Sequence, residues 1–229
     1  MKPTIHPQYY DIVISPSPEV MDYAIALSEK IFQYGAPWKL GRDHYIPHLS
    51  LYHIPVLPSL LENVSRELKL IAGAQEPQIL HTTDIELVGH NGLQLMVQKI
   101  PWLVQLHEKV LERLLPHYDW AYEQREGKKL WSDLVRFSPK GMELFKKYGT
   151  PLAEEAFRPH ISLARVANPE MREAILRDLP LKRFDFSANR LVVYELGENH
   201  TCQRKIAEFP FGQGYVKPDS SPTETLDKK

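Results

Sequence analysis

Pro47-His48-Leu49-Ser50-Leu51 recurs 112 residues further on as Pro159-His160-Ile161-Ser162-Leu163. Both copies lie in apolar, β-prone runs, Tyr45 to Val56 and Phe157 to Val166. In a strand, residues two apart share a face. Each copy therefore presents an imidazole and a hydroxyl on one side and buries Leu49 and Leu51, or Ile161 and Leu163, on the other. A single His-x-Ser on a strand is more often a packed or surface pair than a catalyst. Repetition of the whole frame, apolar positions included, makes coincidence the weaker account. Two such strands side by side would face two histidines and two hydroxyls across one small space.

Working outward, the repeat is larger than five residues. Tyr9 to Ser15 reads as a first strand, closed by the turn cluster Ser15-Pro16-Ser17-Pro18. Val20 to Tyr34 carries Met21, Ala24, Ile25, Leu27, Ile31 and Phe32 at helical spacing and ends at Gly35. After the first motif, Pro58 and Ser59 open a helix striped by Leu60, Leu61, Val64, Leu68 and Ile71. Ile85 to Val88 and Leu93 to Val97 flank His90-Asn91-Gly92, a hairpin signal. The second half repeats this order. Asn168-Pro169 caps a helix through Met171, Ile175 and Leu176, and Leu191 to Leu196 with Arg204 to Phe209 flank Gly197-Glu198-Asn199. A helix precedes each motif, the second spanning Trp102 to Leu115. The pattern predicts an α+β fold of two pseudo-symmetric lobes, each an antiparallel sheet backed by helices, with the active cleft between them.

Residues 1–216 read as one bilobal domain with an insertion at about 117–151, in which Ser138-Pro139 caps a short helix ending at Gly149. Residues 217–229 are Pro, Ser, Thr and charge with one Leu, and read as a disordered tail. A net charge of −1 argues against a sequence-blind nucleic-acid coat, though not against an enzyme that grips one phosphate. Cys202 is the only cysteine, so no internal disulfide is expected and a reducing cytoplasmic setting is the default. No apolar run approaches membrane-spanning length, and Met1 to Pro7 lacks a signal pattern. No obligatory protein partner is evident.

The paired His-x-Ser-Leu strands resemble the 2H phosphoesterases, a superfamily named for two His-x-Thr/Ser-x motifs. Phe157-Arg158-Pro159-His160-Ile161-Ser162-Leu163-Ala164-Arg165 is similar to the second motif of the bacterial 2′-5′ RNA ligase/cyclic phosphodiesterase branch. The resemblance covers roughly residues 8 to 211, with Ser at both hydroxyl positions where many relatives carry Thr, and with a long segment between the motifs. It implies metal-independent hydrolysis of a 2′,3′-cyclic phosphate or a 2′,5′ phosphodiester at an RNA end or nucleotide, with reverse 2′-5′ ligation within reach of the same site. His48 and His160 are then the general acid and base, in an order the near-equivalent motifs leave open. Ser50 and Ser162 would bind the phosphate oxygens. No cofactor is called for.

Supporting residues follow from strand parity. Tyr52 shares that of His48 and Ser50, and Arg158 that of His160 and Ser162, so each is a candidate for bordering the phosphate. Arg165 has the opposite parity, but lies where the family often has a basic residue, and a bulge would turn it inward. His53 falls with Leu49 and Leu51, a packing or surface position. Trp120, Tyr122 and Trp131 lie near Arg125, Lys128 and Lys129 in the segment 117–151, where they either stack on unpaired bases and set substrate choice or anchor short helices with the charges solvated. A metal hydrolase lacks support, because no His-x-x-x-His pair lies on a helix and no carboxylate stands at ligand spacing from either motif. A serine hydrolase lacks Gly-x-Ser-x-Gly. The rival from another class is a non-catalytic RNA- or nucleotide-binding module with the same fold.

Overall fold

The structure is a computed structural model that describes residues 8–88, 91–122, 124, 138–166, 168–197 and 200–213. Arg125, Lys128, Lys129, Trp131 and the tail from 217 lie outside the described residues. The chain runs β1 (Gln8–Ile14), α1 (Pro18–Phe32), β2 (Leu49–Val56), α2 (Leu61–Gly73), β3 (Gln78–Val88), β4 (Gly92–Val97) and α3 (Pro101–Leu114). It continues through α4 (Pro139–Tyr148), β5 (His160–Arg165), α5 (Pro169–Asp178), β6 (Asp185–Ala188), β7 (Arg190–Leu196) and β8 (Cys202–Pro210). No helix among the described residues is long and apolar enough to cross a membrane.

Local chemistry sets the element ends. The Ser138 hydroxyl accepts from the Gly141 amide at 3.1 Å, and Gly149 closes α4 at φ 71, a left-handed conformation that glycine adopts without strain. Asn168 caps α5 by accepting from the Glu170 amide at 2.9 Å. Pro58 opens a short 3-10 turn, Pro58–Leu60, that leads into α2.

The eight strands are antiparallel in the order β6-β3-β4-β5-β2-β1-β7-β8. One half-sheet is β6-β3-β4-β5, the other β2-β1-β7-β8, and the seam between them is the single pair Leu49 with Ile161. A pseudo-twofold relates the halves, β2 to β5 and β1 to β4. The hairpin that follows the first motif, β3-β4, joins the second motif's strand. The hairpin that follows the second, β7-β8, joins the first half-sheet through β1. Each half is therefore built from both halves of the sequence.

One face of the sheet carries Tyr10, Ile12, Ile14, Leu49, Ile54, Leu93, Leu95, Ile161 and Leu163, packed beneath Val20, Ala24, Leu27 and Ile31 of α1 and Leu103, Leu106 and Val110 of α3. Full burial of each such side chain is worth about 1.5–3 kcal/mol. The opposite face holds a smaller cluster of Tyr9, Val13, Tyr122, Val192, Tyr194, Leu196 and Cys202. Alternation along β1 places Asp11 on this second face, where it is fully buried.

Candidate active site

Both motif strands carry a bulge at the same place. Across β1 and β2, Ile12 pairs with Tyr52 and Val13 with Ser50, so Leu51 is the extra residue. Across β4 and β5, Leu93 pairs with Ala164 and Gln94 with Ser162, so Leu163 is the extra residue. A bulge resets parity. After it, His53 in β2 and Arg165 in β5 return to the face of His48, Ser50, His160 and Ser162. His53 is thus corrected from a packing position to a cleft residue. Tyr52 is 2% exposed and packs in the main core, with its hydroxyl donating to the Tyr148 carbonyl at 2.6 Å, and it also borders the pocket that holds Ser50 and His160. The first bulge is held by α3, where His107 Nδ1–H donates to the Leu51 carbonyl at 2.7 Å and the ring stacks on Phe157 at 3.9 Å.

The antiparallel pair Leu49–Ile161 fixes how the motifs meet. Stepping one residue either way sets His48 across from Ser162 and Ser50 across from His160. Each imidazole therefore faces the hydroxyl of the other motif. Both rings are oriented identically: Nδ1–H of His48 donates to the Ile46 carbonyl and Nδ1–H of His160 to the Arg158 carbonyl, each at 2.6 Å. A carbonyl can only accept, so the proton resides on Nδ1 and Nε2 of each neutral ring carries the lone pair.

Around these rings the halves differ. Asp11 lies opposite His53, and Oδ2 accepts from the Ser50 hydroxyl at 2.6 Å and from His53 Nε2 at 3.0 Å. His48 Nε2 lies 3.4 Å from the same oxygen. The equivalent of Asp11 in β4 is Gly92, opposite Arg165. Among the described residues, neither the Arg165 guanidinium nor the Ser162 hydroxyl has a hydrogen-bond or ion-pair partner, and Gln94 Oε1, across from Ser162, is buried without one. Arg158 is half-exposed and pairs with Glu86 at 2.6 Å, at the rim.

Burial dominates the electrostatics. It drives the His160 pKa down to about 4, helped by the nearby cationic forms of His48, His53 and Arg158, while the Arg158 carbonyl pulls upward. It also lowers His48, opposed first by the Asp11 carboxylate. Burial lowers the Arg165 pKa as well. His200 stacks on His53 at 6.1 Å, and burial together with the charges of His53 and Arg165 takes it to about 4. A pocket opens between β2, the start of β5 and the segment between α4 and β5, lined by Ser50, Tyr52, His53, His160, Leu152 and Arg158. His48, 8% exposed, lies outside this lining beside Asp11.

A carboxylate does reach His48, from a strand that sequence spacing does not connect to it. Donor atoms of Asp11, His48 and Cys202 lie within 4.8 Å of one another, the set among the described residues that could hold a metal ion. An ion there would have to strip a thiol whose pKa burial and Asp11 push well up.

The model of the 2′-5′ RNA ligase superfamily matches residues 33–200, well over half of the chain. The chain belongs to the 2′-5′ RNA ligase superfamily. These are the 2H phosphoesterases that the paired motifs resemble, and the role the family supports is phosphoesterase or ligase chemistry. Among solved structures, Escherichia coli LigT complexed with 3′-AMP is 16% identical, with 91% of this chain and 99% of that chain covered and a TM-score of 0.53. TT0787 of Thermus thermophilus is 14% identical over 90% and 99%, at a TM-score of 0.55. LigT complexed with ATP is 17% identical over 91% and 100%, at 0.52. At these identities the likeness is one of fold. No curated protein sequence matches the chain. Asp11 and Cys202 both fall outside the stretch the family model matches.

Sequence reasoning does not single out Asp11, His53, Gln94 or His200 as site residues. For Asp11 a signal exists: it is the one acidic residue in the strand Gln8–Ile14. For His53 the signal is the repeat itself, since His53 follows His48 by the five residues that separate Arg165 from His160.

Proposed function

We propose that the protein is a metal-independent phosphodiesterase that opens a 2′,3′-cyclic phosphate, or cleaves a 2′,5′ linkage, of an RNA end or nucleotide by two-histidine acid–base catalysis. The observation that carries this reading is the matched pair of Nδ1–carbonyl hydrogen bonds, which present Nε2 of His48 and His160 in the same tautomer from adjoining strands. One ring would take a proton from water while the other gives one to the departing ribose oxygen. Ser162 and Arg165, both without partners among the described residues, would meet the phosphate oxygens. Ser50 would join them by turning its hydroxyl away from Asp11. Run in reverse, the site would join a 2′ end to a 5′ partner. LigT structures with 3′-AMP, NADP+ and ATP support a nucleotide-sized ligand.

The test is incubation with 2′,3′-cyclic nucleotides and 2′,5′-linked dinucleotides, with products separated by phosphate position. A single phosphomonoester isomer, formed at a rate that depends on enzyme, is the expected result. Binding without turnover would instead favour a non-catalytic RNA- or nucleotide-binding module.

A further inference from the structure

The pseudo-twofold relates the two histidines, and among the groups around them one difference is a negative charge. Val13 corresponds to Gln94 and Ile14 to Leu95 by their pairing with the motif strands, and by the same register Asp11 corresponds to Gly92. Among the described residues, a fully buried carboxylate therefore stands on one side of the cleft and not on the other. We propose that Asp11 breaks the symmetry of the pair: its charge holds the proton on His48, so that His48 is the general acid and His160, left neutral, is the general base. This rests on the acid–base reading above and assigns its two roles.

The geometry suits a positioning residue. At 3.4 Å, His48 Nε2 is farther from Asp11 Oδ2 than a charge-assisted hydrogen bond of about 2.7–2.9 Å. The carboxylate raises the proton affinity of Nε2 without tying its proton down. Facing His48 are Asp11 from β1, His53 from β2, Cys202 from β8 and His160 from β5. Cys202 is a neutral thiol, so Asp11 is the anion of that group. The charged groups facing His160 are His48, His53 and Arg158, all basic. A lone proton shared between the two rings goes to the one beside the carboxylate.

In the forward reaction, the lone pair on His160 Nε2 takes a proton from water as the water oxygen bonds to phosphorus. The bond from phosphorus to the ribose oxygen breaks, and the Nε2 proton of His48 passes to that oxygen. The step ends with His160 protonated and His48 neutral, and exchange with solvent resets them.

The experiment uses the full chain. Imidazole signals of His48 and His160 are titrated by NMR in the wild type and in Asp11→Asn, and kcat/KM on 2′,3′-cyclic AMP is followed against pH in both. His48 should hold its proton to higher pH than His160. Asp11→Asn should lower the His48 midpoint by about 1–3 pH units and pull the alkaline limb of the profile down with it, the acid limb staying in place. Movement of the acid limb instead would make His48 the base and overturn the assignment. So would a higher midpoint for His160, or no change in His48. Should Asp11→Asn fail to fold, the wild-type order of midpoints decides. Should neither 2′,3′-cyclic AMP nor a 2′,5′-linked dinucleotide be turned over, the functional reading fails while the titrations still judge Asp11.

Discussion

His53 and Arg165 occupy equivalent positions in the two halves of the cleft, each five residues past its motif histidine and each returned to the histidine's face by a bulge at the residue after the serine. One is paired across the ladder with a carboxylate and the other with a glycine. The same backbone device thus delivers a held imidazole on one side and, among the described residues, a guanidinium without a hydrogen-bond or ion-pair partner on the other.

That difference separates function from stability at Arg165. Arg165 is half-buried and has no hydrogen-bond or ion-pair partner among the described residues, so it costs desolvation in the folded state. Arg165→Ala should lower kcat/KM by about 10²–10³-fold, the usual cost of losing one donor to a developing charge, while the melting temperature stays level or rises. A drop in both would mean that the guanidinium is structural. Arg165→Lys should recover part of the activity, because the charge remains and the planar fork does not.

His48→Ala and His160→Ala should each reduce turnover by about 10²–10⁴-fold, with far-UV circular dichroism unchanged. Near-wild-type rates in either variant would remove the two-histidine reading.

The buried His107 sets an acid limit on stability. Its folded pKa lies at about 4 against an ordinary 6.5, lowered by burial, so the native ring stays neutral where the unfolded chain takes up a proton. Its contribution is complete above pH 6.5 and is lost as pH falls toward 4, by about 3 kcal/mol. His160 and His200 act with the same sign. Urea unfolding from pH 7 to 4 should show this slope. In His107→Asn, whose amide nitrogen can stand where Nδ1 stood, the slope should shrink. An unaltered slope would place the acid sensitivity elsewhere.

Activity should survive exhaustive chelation by EDTA. Loss on chelation, restored by a zinc or manganese salt and abolished in Cys202→Ser, would turn the cluster of Asp11, His48 and Cys202 into a metal centre and displace the acid–base scheme.

Trp120 is 52% exposed, with its ring tilted against Tyr118 at 4.5 Å. Tyr122, grouped with it by sequence as a stacking surface, is instead packed against Tyr9 at 5.8 Å. Trp120→Ala should raise KM for oligonucleotides several-fold, aromatic stacking being worth about 1–3 kcal/mol per base, and leave a cyclic mononucleotide unaffected. Equal effects on both substrates would make Trp120 scaffold.

Periodicity and punctuation make the helices, both hairpins and the two motif strands legible, because 3.6- and 2-residue repeats and capping pairs such as Ser138-Pro139 and Asn168-Pro169 are local. Parity fails at Leu51 for a physical reason. A bulge is stabilised by what lies over it, here the His107 ring reaching from α3, and nothing in the five-residue frame announces that contact. The same device is foreseeable for Arg165, and only carrying it across the repeat would have reached His53. Asp11 arrives at the site through ladder pairing with a strand whose Ser50 lies 39 residues away, a relation that spacing along one strand cannot reveal. The short strand β6 carries only four residues and no turn signal strong enough to mark it.

The exchange of hairpins between the half-sheets has a consequence for how the chain can be divided. A fragment ending near residue 122 would carry β1 to β4 without β5 to β8, baring an edge of each: β1 loses β7, β2 and β4 lose β5, and β3 loses β6. A fragment beginning near 138 would carry β5, β6 and the β7-β8 pair without any of β1 to β4, against which they pack. Exposed edges of that length favour association with another chain. Neither piece should acquire a melting transition when expressed alone. Mixed together, the two should reconstitute one cooperative transition and the cleft along with it, as complementary halves of a single folding unit.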